Sequence, residues 1–292
     1  MATKNLFDLI YESQQIMKAH LCHFYTLSLI FLFPISFSFY ITSPTLFHLS
    51  NHSLLQQQTL LYSLILYLFS SCGIITITYS VFHFFYGQKV NLLLALKSIP
   101  SSLLPLFATT IVSQLIFFLI SLFNLLLLLL LSHLFKLVHI TIPHSYPPYT
   151  IAFFVALPLL LVLTYLQVNF SLVPVIVVVE SCWGLEPLRR SARLIKGMKR
   201  VALSSLIFYG FCTMIFVLNL LFLSTMRITE NWFNWVIIVL CSFLFAMIML
   251  SNIVVSTLLY IYCKINYGEI AEEFGKDYVT LPFHDGKECQ AV

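Results

Sequence analysis

Charged residues are scarce in this chain of 292 residues. Only 9% of them are Asp, Glu, Lys or Arg, whereas 60% are hydrophobic, and the mean hydropathy is +0.96. An ordinary soluble domain carries about 25% charged residues, so this chain would have nowhere to bury its apolar surface in water. The composition excludes a soluble globular protein and predicts an integral membrane protein.

Residue patterns that mark common catalytic and cofactor sites are also missing. The sequence contains no nucleophile elbow, phosphate loop, HExxH zinc motif or nucleotide fingerprint. Its seven cysteines show no paired spacing, so we interpret them as small buried hydrophobic residues. The net charge of +4 is concentrated beside apolar segments rather than on a soluble basic surface. The sequence therefore predicts a non-enzymatic protein without a cofactor, a metal site or a nucleic-acid partner.

Long uncharged stretches predict an all-α bundle of six membrane spans. A helix needs about 20 apolar residues to cross the hydrocarbon core, and charged or turn-forming residues mark where each crossing ends. The predicted spans cover residues 21–41, 59–86, 102–132, 149–179, 201–223 and 234–262. Outside the spans lie the N-terminal segment 1–20, the basic loop 180–200 and the C-terminal tail 263–292. We expect the first span to act as the signal anchor.

The distribution of basic residues predicts the orientation of the spans. With a cytoplasmic N-terminus, thirteen of the fifteen Lys and Arg residues lie on the cytoplasmic side, and only Lys136 and Arg227 lie outside. Lys and Arg in short loops favour the cytoplasmic side, so both termini are predicted to be cytoplasmic. Six of the fifteen basic residues fall between Arg189 and Arg200, which makes this loop a topology anchor.

Three segments of mixed polarity precede the three pairs of spans, at residues 5–19, 89–100 and 185–197. The third segment has an apolar stripe and a basic stripe at helical spacing. The stripes consist of Leu185, Leu188, Ala192 and Ile195, and of Arg189, Arg193, Lys196 and Arg200. Such stripes are typical of helices that lie in the membrane plane. The pattern favours three repeats of an in-plane helix and a two-helix hairpin, with ordinary connecting loops as the alternative.

The basic loop also carries a pattern that can be written E-x3-G-x3-LRRS-x2-L-x2-G. Its positions are Glu180, Gly184, Leu188, Arg189, Arg190, Ser191, Leu194 and Gly197. The pattern resembles the membrane domain found in some bacterial glycerophosphoryl diester phosphodiesterases. The chain resembles more closely a group of uncharacterised plant multi-pass membrane proteins. These share a start like NLFDLIYESQQIMKAH and a later segment like GQKVNLLLALKSIPSSLLPLF.

The resemblance implies a six-span bundle in the endoplasmic reticulum, another endomembrane or the plasma membrane. It does not imply phosphodiesterase activity, because no soluble stretch of this chain could hold a catalytic barrel of about 250 residues.

The basic loop is the candidate contact for anionic lipid headgroups. The candidate residues are Arg189, Arg190, Arg193, Lys196, Lys199 and Arg200. Each cation near a membrane surface contributes about 1 kcal/mol of attraction, and arginine can bind phosphate with two parallel hydrogen bonds. The alternative is that these cations only enforce topology. Glu180, at the inner end of the fourth span, is expected to pair with Arg189 or Arg190.

Polar amides within the predicted spans give a second set of candidates. They are Gln167, Asn169, Asn219 and Asn252. Amides in spans more often bond between helices, at about 0.6 kcal/mol each, than bind substrate. The alternative is that they line a water-accessible cavity for a polar solute.

Two short motifs lie near the ends of spans. Asn51 begins a glycosylation sequon in the first outer loop, close to the bilayer. Cys289 lies fourth from the C-terminus, as in a prenylation box, but its context predicts no lipid anchor.

The leading functional hypothesis is a membrane protein that interacts with lipids and organises or moves them or a small hydrophobic solute. The alternatives are a carrier or channel for a polar solute, and a scaffold that binds a protein partner through the tail from Lys264.

Overall fold

The computed structural model describes residues 5–48, 52–137, 148–225 and 232–268, which are almost entirely helical and contain no strand. In chain order the α-helices are α1 (Leu6–Ala19), α2 (Leu21–Leu27), α3 (Phe33–His48), α4 (His52–Phe85), α5 (Leu92–Lys97), α6 (Ile99–Leu137), α7 (Pro148–Asn169), α8 (Val173–Glu180), α9 (Glu186–Leu194), α10 (Lys199–Thr225) and α11 (Trp232–Asn266). A π-helical segment, Ser28–Leu32, joins α2 to α3, and a 3₁₀ turn, Ile195–Gly197, follows α9.

Six segments within these described residues are long and apolar enough to cross a membrane. They are Leu21–Tyr40, Leu61–Phe85, Ile99–Leu127, Leu157–Glu180, Lys199–Phe222 and Trp235–Asn266. The predicted all-α, multi-pass membrane class is therefore confirmed. Several apolar side chains of α6 and α10 face outward, among them Phe118, Phe123, Ile207 and Phe211, each more than 60% exposed. In a bilayer, lipid chains would cover this surface.

Proline explains the local geometry of the first and fourth spans. Pro34 has no N–H to donate to the carbonyl of Ile30, and the wider π-helical turns immediately before it accommodate the change. In the fourth span, α7 ends at Asn169 and α8 begins at Val173, with Pro174 in its first turn. Proline suits a first helical turn, where an N–H would have no partner inside the helix.

The centre of the bundle is α11, which packs against α1, α3, α4 and α10. Its C-terminal half is buried almost continuously from Val254 to Cys263 and contributes to the largest apolar cluster of the described residues. The N-terminal helix α1 joins this cluster through Leu9 and Ile16. The hydroxyl of Tyr262 donates a hydrogen bond of 2.6 Å to the carboxylate of Glu12. The N-terminal helix is thus bonded to the last span.

Gly73 allows α4 to pack closely against the first span. A Cβ atom at this position would lie 3.2 Å from the Cβ of Phe31 and 3.2 Å from the Cδ2 of Leu32. Small residues at such contacts let two helix backbones approach each other in membrane bundles. The packing of the first hairpin therefore depends on this glycine.

Candidate functional site

The basic loop folds as a tight turn followed by α9. The turn begins at Ser181, whose φ of 53° is left-handed, and it includes Gly184 with a φ of 79°. A side chain is strained at such angles and glycine is not, which explains the glycine of the E-x3-G motif. Pro187 then lies in the first turn of α9, and Glu186 places negative charge at the positive end of the helix.

One face of α9 is docked on the bundle. The docked residues are Pro187, Leu188, Ser191 and Leu194, all of which are buried. Leu188 joins a small apolar cluster that also contains Ile75 of the second span and Leu106 of the third. The motif residues Leu188, Ser191 and Leu194 therefore hold α9 in place. Leu185 and the half-buried Ala192 lie outside this docked face.

The other face of α9 presents cations. Arg189 and Arg193 are exposed, as are Lys196 and Arg200 in the segment that follows. Gly197 is exposed within the 3₁₀ turn. The half-buried Lys199 places its Nζ atom 5.2 Å from the centre of the Tyr165 ring, which is within range of a cation–π interaction. Four of the six candidate lipid contacts thus lie on an open surface.

The side chain of Arg190 is half-buried, whereas that of the neighbouring Arg189 is exposed. Arg190 forms an ion pair with Glu180, and the two side chains are only 26% and 14% exposed. The other carboxylate oxygen of Glu180 accepts a hydrogen bond of 2.7 Å from the hydroxyl of Tyr260. Glu180 therefore links α8 to α9 and to α11. Of the two expected partners, Arg189 and Arg190, it pairs with Arg190.

Three further hydrogen bonds hold α9 and its preceding turn. Ser191 donates to the carbonyl of Asn169 at 2.5 Å, which satisfies a backbone acceptor where α7 ends. The N–H of Gly184 donates to the hydroxyl of Thr109 on α6 at 3.1 Å. Tyr267, just past α11, donates to the carbonyl of Arg193 at 2.8 Å. The position of α9 is thus fixed by polar bonds as well as by apolar packing.

Cys182 lies in the turn between α8 and α9. Burial raises the pKa of its thiol, and the negative charges of Glu186 and Glu180 raise it further, while Arg190 acts in the opposite direction. The thiol therefore stays protonated at neutral pH. This is the reverse of the environment that makes a nucleophilic cysteine.

The four candidate amides have separate surroundings. Asn169 is buried and donates to the carbonyl of Tyr165 at 3.0 Å, and Asn219 accepts a hydrogen bond of 3.0 Å from the hydroxyl of Tyr40. The side chains of Gln167 and Asn252 are exposed on the surface of the bundle. Asn169 thus bonds within its own helix, whereas Asn219 bonds between helices.

Several predictions fall on residues outside the described ranges. These include the sequon at Asn51, the cysteine Cys289 and the tail after Gly268. Among the residues that the structure describes, no three His, Cys, Asp or Glu side chains are grouped as metal ligands.

Sequence reasoning missed the partners of the loop. Tyr260 and Thr109 lie far from Glu180 and Gly184 in the chain, and neither stands out among many tyrosines and hydroxyls in apolar segments. The available signal was the single carboxylate at the end of an uncharged span, since such a group needs a nearby partner.

A family model described as "Domain of unknown function (DUF8558)" matches residues 46–273. This match includes α9, its docking contacts and the spans from α4 onward. None of the curated proteins and none of the solved structures compared with the chain matches it.

Proposed function

The chain belongs to the family described as a domain of unknown function (DUF8558), and we propose that it is a non-enzymatic membrane protein that binds lipid. Its proposed role is to organise or move lipids, or a small hydrophobic solute, from a contact made by α9. The observation that carries the proposal is the division of α9 into a docked face and an exposed face of cations.

The exposed cations have the chemistry that an anionic headgroup needs. Arg189 and Arg193 lie one helical turn apart and point away from the docked face. Guanidinium groups bind phosphate with two parallel hydrogen bonds. The fourth candidate span ends at Glu180 and the fifth begins at Lys199, so α9 connects two candidate membrane crossings.

The polar contacts beneath α9 also favour binding over catalysis. Glu180 is engaged by Arg190 and Tyr260, and the thiol of Cys182 is held in its protonated form. Neither group is prepared to act as a base or a nucleophile. The contacts of α9 therefore support a surface for recognition.

The finer architecture belongs to the same proposal. We propose that α9 lies in the membrane plane on the cytoplasmic side, and that α1 and α5 are its counterparts in three repeated units. Each of the three precedes a pair of spans, although α5 has only six residues and α1 has 14. We also propose that the chain is related to the plant proteins and to the bacterial membrane domain. This relationship rests on the motif of α9.

Native mass spectrometry of the purified full-length protein tests the proposal. The test variant R189Q/R193Q removes two exposed cations and leaves the Glu180–Arg190 pair intact. Two cations at about 1 kcal/mol each correspond to roughly 30-fold weaker binding of an anionic lipid such as phosphatidylglycerol. The matched control K97Q/K136Q removes the same charge outside α9 and should bind as the wild type does.

The variant R189K/R193K keeps both positive charges but lacks the guanidinium groups, so it tests the two contributions separately. Partial loss of binding in this variant would support two-bond recognition of phosphate. Equal lipid binding by wild type and R189Q/R193Q would show that the basic face acts only in topology, and the proposal would be rejected.

The interruption of the fourth span favours a second candidate, a carrier for a small polar solute. Discontinuous helices are typical of substrate sites in transporters, and the break between α7 and α8 lies next to Gln167 and Asn169. Cysteines introduced at 167 and 219 in a cysteine-free chain would react with a water-soluble maleimide if both positions line a water-filled solute pathway. Protection of both positions would contradict the carrier.

A further inference from the structure

A second cationic feature lies away from α9, where α1 meets α2. It is a cleft of about 560 Å³, within the size range of small-molecule sites. Its walls are formed by the end of α1, the start of α2, the end of α4 and the segment before α5. The lining residues include Lys18, His20, His23, Phe84, Lys89 and Asn91.

The charge of this cleft is positive. Lys18 and Lys89 are both exposed at its rim, and none of the residues that line it is Asp or Glu. Lys18 precedes the first span and Lys89 follows the second, so the two lysines lie at the same end of the bundle. An anion at this end would meet two cations without an opposing carboxylate in the wall.

The walls of the cleft are held in place by specific contacts. The ring of His20 stacks on Phe84 at a centroid distance of 3.8 Å with an interplanar angle of 10°. His23 shares a hydrogen bond of 2.9 Å with the hydroxyl of Ser80 on α4. These contacts tie α2 to α4 and so hold two walls of the cleft in place.

An apolar cleft of about 160 Å³ adjoins the cationic one. Both clefts include Lys18 and Leu21 in their walls, so this pair forms their shared edge. From that edge the apolar cleft extends between α2 and α11, past Phe24, Met247 and Leu250. A cationic cleft joined to an apolar one matches a phospholipid, which has an anionic phosphate group and apolar acyl chains.

We propose that the cleft of Lys18 and Lys89 binds a phosphate group, and that the adjoining apolar cleft takes an acyl chain of the same molecule. The ligand class is an anionic phospholipid with an exposed phosphate, of which phosphatidic acid is the simplest. A small phosphate ester has the same charged group and lacks the chain. This site is separate from α9 and does not depend on the function proposed for it.

The test measures binding of short-chain phosphatidic acid to the full-length protein by native mass spectrometry. The variant K18Q/K89Q should bind it about 30-fold more weakly than the wild type, since two surface cations are lost. K97Q/K136Q is the control for lost charge. R189Q/R193Q is the control for α9 and should lose binding only at the other site, which keeps failure of one proposal distinguishable from failure of the other.

Competition distinguishes the two sources of phosphate. If glycerol 3-phosphate displaces phosphatidic acid only at far higher concentration, the bound species is a lipid and the acyl-chain cleft is supported. If the two compete equally, the phosphate site stands and the acyl-chain assignment is overturned. If K18R/K89R, which keeps both positive charges, binds phosphatidic acid as the wild type does, recognition by charge is supported.

Two results would overturn the phosphate site itself. One is equal binding of phosphatidic acid by wild type and K18Q/K89Q. The other is binding of phosphatidylcholine, whose choline offsets the phosphate charge, as strongly as phosphatidic acid. Both lysines are exposed, so we expect K18Q/K89Q to fold, and its elution volume and unfolding temperature provide that check.

Discussion

Glu180 is the residue that most clearly joins the elements of the candidate site. Its two oxygens engage Arg190 of α9 and Tyr260 of α11, at the point where the fourth span ends. A carboxylate at the end of an apolar helix is costly to bury unless its charge is compensated. The pairing therefore lets a charged group lie at the bundle edge, and it also anchors α9.

Replacing Glu180 tests this anchoring. Glu180→Gln removes the charge that pairs with the half-buried Arg190 and should lower the free energy of unfolding by about 2 kcal/mol. Tyr260→Phe removes one hydrogen bond to a charged group and should cost about 1.5 kcal/mol. Unfolding by SDS in mixed micelles measures both. Glu186→Gln, at an exposed carboxylate, is the control, and a Glu180→Gln protein as stable as the control would contradict the anchoring role.

Cys182 gives a test that depends on pH. Burial and the charge of Glu186 raise the pKa of its thiol, so the reactive thiolate forms only as the pH passes this raised value. In a chain where Cys182 is the sole cysteine, the rate of alkylation by iodoacetamide should reach half its maximum above about pH 8.5, the midpoint of an ordinary thiol.

Glu186→Gln should move that midpoint to lower pH, because it removes a negative charge that opposes ionisation. An alkylation midpoint below that of a free thiol, or one unmoved by Glu186→Gln, would show that the turn is more open than the structure has it.

At the scale of elements, the motif of α9 separates a docked face from an exposed cationic face within nine residues. Leu188, Ser191 and Leu194 bury against the bundle, while Arg189 and Arg193 remain outside. The helical period makes this separation possible, because residues three or four apart share a face. A loop without helical structure would not hold its cations on one side.

The contact of α4 with the first span provides a test of packing between elements. Gly73→Leu would insert a side chain where the first new atom already meets Phe31 and Leu32 at 3.2 Å. Overpacking of this kind costs about 1 to 3 kcal/mol, and we expect a corresponding loss of unfolding free energy in mixed micelles.

Gly210 is the matched control for this substitution, because it lies in a span with nothing within 4 Å of an added Cβ atom. Gly210→Leu should therefore be neutral or slightly stabilising. Similar losses in both variants would mean that leucine disturbs any span and that the close approach at Gly73 is unimportant.

At the scale of the whole molecule, the even number of spans and the basic residues together predict where the termini lie. Epitope tags at both ends should be stained when only the plasma membrane is permeabilised, because both termini are predicted to be cytoplasmic. A tag inserted after Asn51 should require full permeabilisation in an endomembrane protein, or should be stained on intact cells in a plasma-membrane protein.

Staining of only one terminal tag would contradict the six-span topology. The same experiment distinguishes an endomembrane from the plasma membrane, because the tag after Asn51 reports whether the outer loop faces a lumen or the cell exterior.

The sequence by itself determined the class of this protein. Its scarce charge and its uncharged stretches predicted six long apolar helices, because a bilayer requires about 20 apolar residues per crossing whatever the tertiary structure is. The left-handed angle at Gly184 and the proline in the first turn of α9 agree with the local backbone preferences of these residue types. Periodicity also indicated that α9 carries a row of cations.

The tertiary structure alone decided which of those cations are free. Arg189 and Arg190 are neighbours in the chain, yet one is exposed and the other is paired with Glu180. The residues that hold Glu180 and Gly184 in place, Tyr260 and Thr109, lie 80 and 75 residues away from them in the chain. The cleft of Lys18 and Lys89 likewise forms only when α1, α2 and α4 come together. Hydrogen bonds and ion pairs act over a few ångströms, so they depend on which helices are neighbours, and the hydropathy of one span does not specify its neighbours.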